Sequence, residues 1–225
     1  MVKNSLRDKK DGKTYFGIIS PDENQKDISI DFSTLDIIDN INNIKDNDIK
    51  YGKQFYIRFD INQNCYLIKD CGTGYGSFMK IINQMKIMDN TLINIGNNYL
   101  VFTFGNDDQE QYNSNIESEK ILSVKVFMGE THNYLFAFNQ KQTDKITIGK
   151  NENCNIVLND NMVDDIHCLI EYKRGLGWVI IDGYLNKKSE RGTWICLSEE
   201  IKIFEGMIIQ SNQNIYECHI INNKF

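Results

Sequence analysis

The sequence predicts an all-β protein, two β-sandwiches in tandem joined by a short polar linker, and three observations carry that prediction. Aromatic residues reach 11% of the 225 residues. With Ile also frequent, these are side chains that suit pleated, half-buried surfaces. The second half breaks into short apolar runs separated by turn signals, with no segment that sustains a helical period over three turns. Finally, segments of the first half recur, in the same order, in the second.

The short runs of the second half are predicted as strands at Ile121–Met128, Tyr134–Phe138, Lys145–Ile148, Asn155–Leu158, Ile166–Tyr172, Trp178–Ile181, Thr193–Cys196, Ile201–Phe204, Met207–Gln210 and Ile215–Ile221. Alternation of apolar and polar residues is visible in Val124-Lys125-Val126 and Ile201-Lys202-Ile203. Many short strands at regular spacing argue for a sandwich or a barrel.

The first half reads as a looser copy. YFGIISPDENQKDISID from Tyr15 resembles YLFAFNQKQTDKITIGK from Tyr134. YLIKDCGTGYGSFMKI from Tyr66 matches WVIIDGYLNKKSERGTWI from Trp178 in outline, and TLINIGNNYLVF from Thr91 corresponds to EGMIIQSNQNIYECHI from Glu205. Two segments, 36–45 and 78–88, also place apolar residues three and four apart, so helix and strand both stay open there. The least core-like stretch is 105–118, GNDDQEQYNSNIES, polar and acidic after the apolar run Tyr99 to Phe104. It is the predicted linker, between a sandwich at 13–104 and another at 119–223; each is of ordinary domain size.

Composition narrows the function classes. The formal charge is −6 and no run of basic residues offsets it. Nucleic acid and anionic membranes both require clustered Lys and Arg, so neither is an expected partner. No apolar stretch approaches the roughly 20 residues that span a bilayer. The first thirteen residues are charged and polar, unlike an export signal. The six cysteines, Cys65, Cys71, Cys154, Cys168, Cys196 and Cys218, form no Cys-x-x-Cys pair. They read as reduced, buried thiols of an intracellular protein, with cytoplasm and nucleus both left open.

The chemistry of catalysis is not legible. The segment GTGYGS from Gly72 has spaced glycines, but no Lys-Ser/Thr follows and no strand-helix alternation accompanies it, so the glycines read as turn residues. Of the three histidines, His219 neighbours Cys218 in a strand and points to the opposite face. No Cys/His cluster has zinc spacing. No nucleophile has an identifiable base. The expectation is therefore no enzyme, no cofactor and no metal.

In the second half, Gly149-Lys150, Asp164-Asp165-Ile166-His167, Asp182 and Ser189-Glu190-Arg191-Gly192-Thr193 follow one another in an order that resembles the forkhead-associated (FHA) domain family. The resemblance spans roughly Ile121 to Ile221. It implies a sandwich whose loops, at one end, recognise a phosphothreonine peptide. A phosphate dianion needs a fixed cation and several hydroxyl or amide donors. By the resemblance, Lys150, Ser189, Arg191 and Thr193 are the candidate phosphopeptide-binding residues, and Gly149, His167 and Gly192 belong to the structural motif.

This chain departs from the family at the binding positions. Lys150 stands for Arg, which keeps the charge and loses the planar fork. Asp164 stands for the phosphate-binding Ser, with Asp165 beside it, and Arg191 for the peptide-gripping Asn. A carboxylate 4 Å from a phosphate charge repels it by roughly 4 kcal/mol at a near-surface effective dielectric. The expected arrangement has Asp164 pairing with Lys150 or Arg191 and filling the pocket. In the first half, Asp31-Phe32 replaces Gly-Arg, Tyr51-Gly52-Lys53-Gln54 replaces Ser-x-x-His, and Thr73-Gly74-Tyr75-Gly76-Ser77 echoes the last motif. That half is expected to be structural. The function expected of the whole is a protein-interaction adaptor or structural subunit of a larger assembly; the alternative is a true phosphothreonine reader. Of the two tryptophans, Trp178 is expected in the core, and Trp194 is the better candidate for a partner contact.

Overall fold

A computed structural model of the protein describes residues 2–7, 14–19, 27–31, 53–60, 62–72, 76–106, 120–128, 132–211 and 214–220. The described residues are all-β, with no helix. All ten strands expected in the second half are present, within one to two residues of the predicted ends at most termini. Segment 78–88 is extended as well, closing one short strand and containing another, Met85–Lys86; segment 36–45 lies outside the described residues.

The chain divides into two compact units, one built from Met1–Lys80 with Cys196–Phe225 and the other from Ile81–Ile195. This division differs from the expected consecutive halves, and the strand pairing shows why. Strand β9 (Asn98–Asn106) pairs antiparallel with β10 (Lys120–Met128) along its whole length, from Met128 opposite Asn98 to Lys120 opposite Asn106. The polar stretch between them therefore connects neighbouring strands of one unit. A long hairpin connection and an interdomain linker have the same polar composition, so sequence alone does not separate them.

In the second unit, one sheet runs in the order β16 (Trp194–Cys196), β8 (Thr91–Ile95), β9, β10 and β11 (His132–Phe138). The other runs β13 (Ile156–Val157), β12 (Lys145–Gly149), β14 (Cys168–Lys173), β15 (Gly177–Asp182) and β7 (Met85–Lys86). Alternation decides which side chains face inward: Ile93 and Ile95, Leu100 and Phe102, Leu122, Val124 and Val126 are buried from the first sheet. Ile146 and Ile148, Cys168 and Ile170, Trp178 and Ile180 meet them from the second. Burying such aliphatic side chains contributes roughly 1.5–3 kcal/mol each before entropy is counted.

In the first unit, one sheet has the order β6 (Ser77–Lys80), β18 (Met207–Ser211), β19 (Asn214–Ile220), β1 (Val2–Arg7) and β2 (Thr14–Ile19). The other has β17 (Ile201–Lys202), β5 (Cys65–Asp70), β4 (Lys53–Asp60) and β3 (Asp27–Asp31). Its core holds Phe55, Ile57, Leu67, Ile68, Met79, Ile209 and Tyr216, with the rings of Phe55 and Tyr216 edge to face at 5.9 Å. The hydroxyls of Ser77 and Ser211, both buried, hydrogen-bond at 2.9 Å.

Gly72 and Gly76 have φ of 70° and 78°, which supports their reading as turn residues; Thr73–Tyr75 lie outside the described residues. All six cysteines are free thiols. Burial pushes the Cys196 and Cys218 thiols up, to about 11 and about 12, so both stay protonated.

Candidate recognition site

The site forms at one end of the second unit, where β12 ends, β14 begins and the loop from β15 to β16 returns. Its floor is a close backbone approach. A Cβ on Gly149 would lie 2.1 Å from the Asp165 carbonyl oxygen, so only glycine lets the 164–166 loop cross here. Backbone hydrogen bonds then fix that loop. The Lys150 amide donates to the Asp164 carbonyl at 3.0 Å, the Asn151 amide to the Asp165 carbonyl at 3.1 Å, and the His167 amide to the Ile148 carbonyl at 2.8 Å. The Cys154 thiol also donates to the Asp165 carbonyl, at 3.3 Å.

His167 is fully buried and joins two loops. Its Nδ1 accepts from the Asp164 amide at 3.3 Å and its Nε2 lies 3.2 Å from the Gly192 carbonyl. One nitrogen faces a donor and the other an acceptor, which assigns the tautomer with hydrogen on Nε2. Gly192, at φ 82°, delivers its carbonyl to that position. His167 and Gly192 thus tie the 164–167 loop to the 189–193 loop.

Asp182, at the end of β15, is the second anchor. Its buried Oδ1 accepts from the Ser189 hydroxyl at 2.6 Å, the Thr193 amide at 2.9 Å and the Thr193 hydroxyl at 2.8 Å. Ser189 in turn accepts the Gly192 amide at 2.9 Å. The single proton of Ser189 is therefore spent on Asp182, and both Ser189 and Thr193 are buried inside the loop they shape. Neither presents a hydroxyl to the surface as a phosphate site would need. Trp194 is likewise turned inward, 8% exposed, its indole N–H donating to the Arg191 carbonyl at 3.1 Å. Trp194, the better partner candidate of the two, is a packing residue; Trp178 is in the core as expected.

Above this frame is a hollow of about 540 Å3 whose lining includes Lys150, Asp164, Asp165, Lys187, Glu190 and Arg191. The carboxylates are placed differently from the expected pairing. Asp164 Oδ2 accepts the backbone amide of Glu190 at 3.0 Å, tying the two recognition loops together. Lys150 instead meets Asp165, Nζ to Oδ1 at 3.7 Å, in an exposed pair worth little by itself. Among the described residues, Arg191 and Lys187 have no carboxylate partner.

Sequence reasoning missed two features here. The Glu190 donor is a main-chain group, present at every non-proline residue, and carries no side-chain signature. The tip of the loop was also missed. Tyr184 and Lys187 bridge, and Leu185 and Asn186 between them have φ of 50° and 65°, a two-residue turn that favours Asn and Gly. Leu185 at such a φ costs of order 1 kcal/mol, and it is 81% exposed beside the hollow.

The family model described as FHA domain matches residues 146–215. Comparison with curated proteins returns no match for the chain. FHA domains are binding modules for proteins, often for phosphothreonine peptides. Among the described residues, no helix is long and apolar enough to cross a membrane and no group of His, Cys, Asp or Glu is arranged to hold a metal ion. Residues 146–215, in the C-terminal half of the chain, match the FHA domain, and the crossing at Gly149, the buried His167 bridge and the Asp182 anchor lie within that segment.

Proposed function

We propose that this FHA domain is a non-enzymatic, intracellular protein-interaction module whose phosphate position is filled from within. The observation that carries the reading is the Asp164 carboxylate on the Glu190 amide. An internal anion already takes a loop donor that an incoming anion would use. A second dianion beside it would meet roughly 4 kcal/mol of repulsion per charge pair at 4 Å. The inward-facing Ser189 and the Lys150–Asp165 pair act in the same direction. The exposed Leu185 offers an apolar contact at the loop tip. The partner is a protein, bound through these loops and the sandwich surface as part of a larger assembly; nucleic acid does not fit the charge of −6.

Pull-down of the partner with and without phosphatase treatment tests this. Retention of the partner after treatment is the expected result. Calorimetric titration with phosphothreonine peptides showing sub-micromolar, phosphate-dependent binding would overturn it. One observation favours the alternative, a true reader. Arg191 and Lys187 face the hollow without a described carboxylate partner. In that case Arg191→Ala would abolish peptide binding and leave the melting temperature unchanged.

A further inference from the structure

The two units have the same strand order. Read as β6-β18-β19-β1-β2 and β17-β5-β4-β3, the first unit repeats the second, read as β16-β8-β9-β10-β11 and β7-β15-β14-β12. Six strands correspond in chain order: β1 with β10, β2 with β11, β3 with β12, β4 with β14, β5 with β15 and β6 with β16. The other three do not stay with their own copy. Places that β17, β18 and β19 fill in the first unit are filled in the second by β7, β8 and β9. The similar segments from Thr91 and from Glu205 are those strands. Their leading members, Thr91–Ile95 and Met207–Ser211, share the burial alternation of buried and half-buried positions.

We infer that the chain holds two copies of one sandwich that have exchanged their last strands, so that each copy is completed by the end of the other. The family match supports this independently. It runs without interruption over 146–215, as one domain would, yet residues up to Ile195 lie in one unit and those from Cys196 onward in the other. At one junction the exchange joins sequence neighbours, β9 and β10, whereas β19, the equivalent partner from its own copy, follows β10 only after the rest of that copy; at β6, which pairs with β18 in place of β8, it joins strands far apart in sequence.

Contacts across the exchange are specific in both units. In the first, Glu200 accepts from Arg58 Nε at 2.6 Å and from its terminal nitrogen at 2.5 Å, and from the Tyr56 hydroxyl at 2.8 Å. In the second, the Gly96–Asn98 turn closes over Asp160. The Asn97 amide and the Asn98 side chain donate to Asp160 Oδ2 at 2.7 and 2.9 Å, while the Met162 amide donates to Oδ1 at 2.8 Å. A Cβ on Gly96 would meet that Oδ2 at 2.5 Å. The 160–163 turn leads directly into Asp164. Asn97 and Asn98 of the first copy are thus positioning residues for the recognition loop of the second.

The strand registers give a test in the full-length chain. Thr103 lies opposite Ser123 in the exchanged arrangement. By the equivalent register, in which Lys3 opposes His219, an unexchanged copy would place Ser123 opposite His219. Under mild oxidation Thr103→Cys with Ser123→Cys is expected to cross-link, as mapped by mass spectrometry, and Ser123→Cys with His219→Cys is not. The reverse preference would overturn the inference. A second arm inserts a protease site within 107–119. The cleaved fragments are expected to co-elute in size-exclusion chromatography and to separate only in denaturant. Separation in buffer into two folded species would also overturn it.

Discussion

Asp164 and Glu190, 26 residues apart, are joined by a single hydrogen bond from a main-chain amide to a carboxylate oxygen at 3.0 Å. That bond closes the gap between the two loops that an FHA domain uses for recognition, and it does so with a negative charge. A hydroxyl at position 164 would remove the charge from this junction between the loops. Under the reading proposed above, that charge is one of the features that turn an incoming phosphate away.

Asp164→Ser is expected to raise affinity for a phosphothreonine peptide by about tenfold or more, since it removes a repulsion of several kcal/mol. Calorimetric titration of the variant beside the parent chain measures this. Equal affinities in the two proteins would show that the carboxylate is not what governs the pocket.

Leu185 separates stability from binding. Leu185→Gly relieves a non-glycine residue at φ 50° and is expected to change stability by no more than about 1 kcal/mol in the favourable direction. The same substitution removes the most exposed apolar side chain beside the hollow. Partner capture should weaken while the melting temperature holds or rises. A variant that binds as well as the parent would remove Leu185 from the interface.

Asp182→Ala strips the acceptor from the Ser189 hydroxyl and from both donors of Thr193. Buried donors left unpaired cost about 1–3 kcal/mol each, so a loss of about 3–5 kcal/mol is expected in urea denaturation. Thr193→Val removes one of the three bonds and should cost about a third as much.

Glu200 makes stability depend on pH. Its hydrogen bonds with Arg58 hold its carboxyl down at about 2, against an ordinary 4.5. A depressed carboxylate stabilises the folded state above its unfolded value and loses that contribution as pH falls through the folded one. The window is therefore from about 4.5 down to about 2. Because both side chains are about a third exposed, solvent screening leaves about 1 kcal/mol. Denaturation of the parent and of Glu200→Gln at several pH values should show that difference near neutrality and its disappearance at the acid end. A constant difference across the range would assign the effect to something other than this ion pair.

Much of the fold is legible in residue alternation. Leu122, Val124 and Val126 point inward because a strand turns every second side chain to one face. Less of the site could be read. Ser189 has the composition of a phosphate donor, but a buried carboxylate seven residues upstream captures its proton. Asp160 gave no signal, because its partners Asn97 and Asn98 reach it only through strand pairing. The segment 105–118 is polar whether it separates domains or connects a hairpin; the pairing of β9 with β10 is a long-range fact that composition does not encode.

The division of the chain into a continuous unit and an interrupted one sets a timetable for its synthesis. A ribosome has made everything that residues 81–195 need once Ile195 has emerged, so that sandwich can close while translation continues. Strands formed from the first eighty residues have no such opportunity. They wait with an open edge until Met207–Ile220 arrives, which makes the early part of the nascent chain the one that needs protection from aggregation.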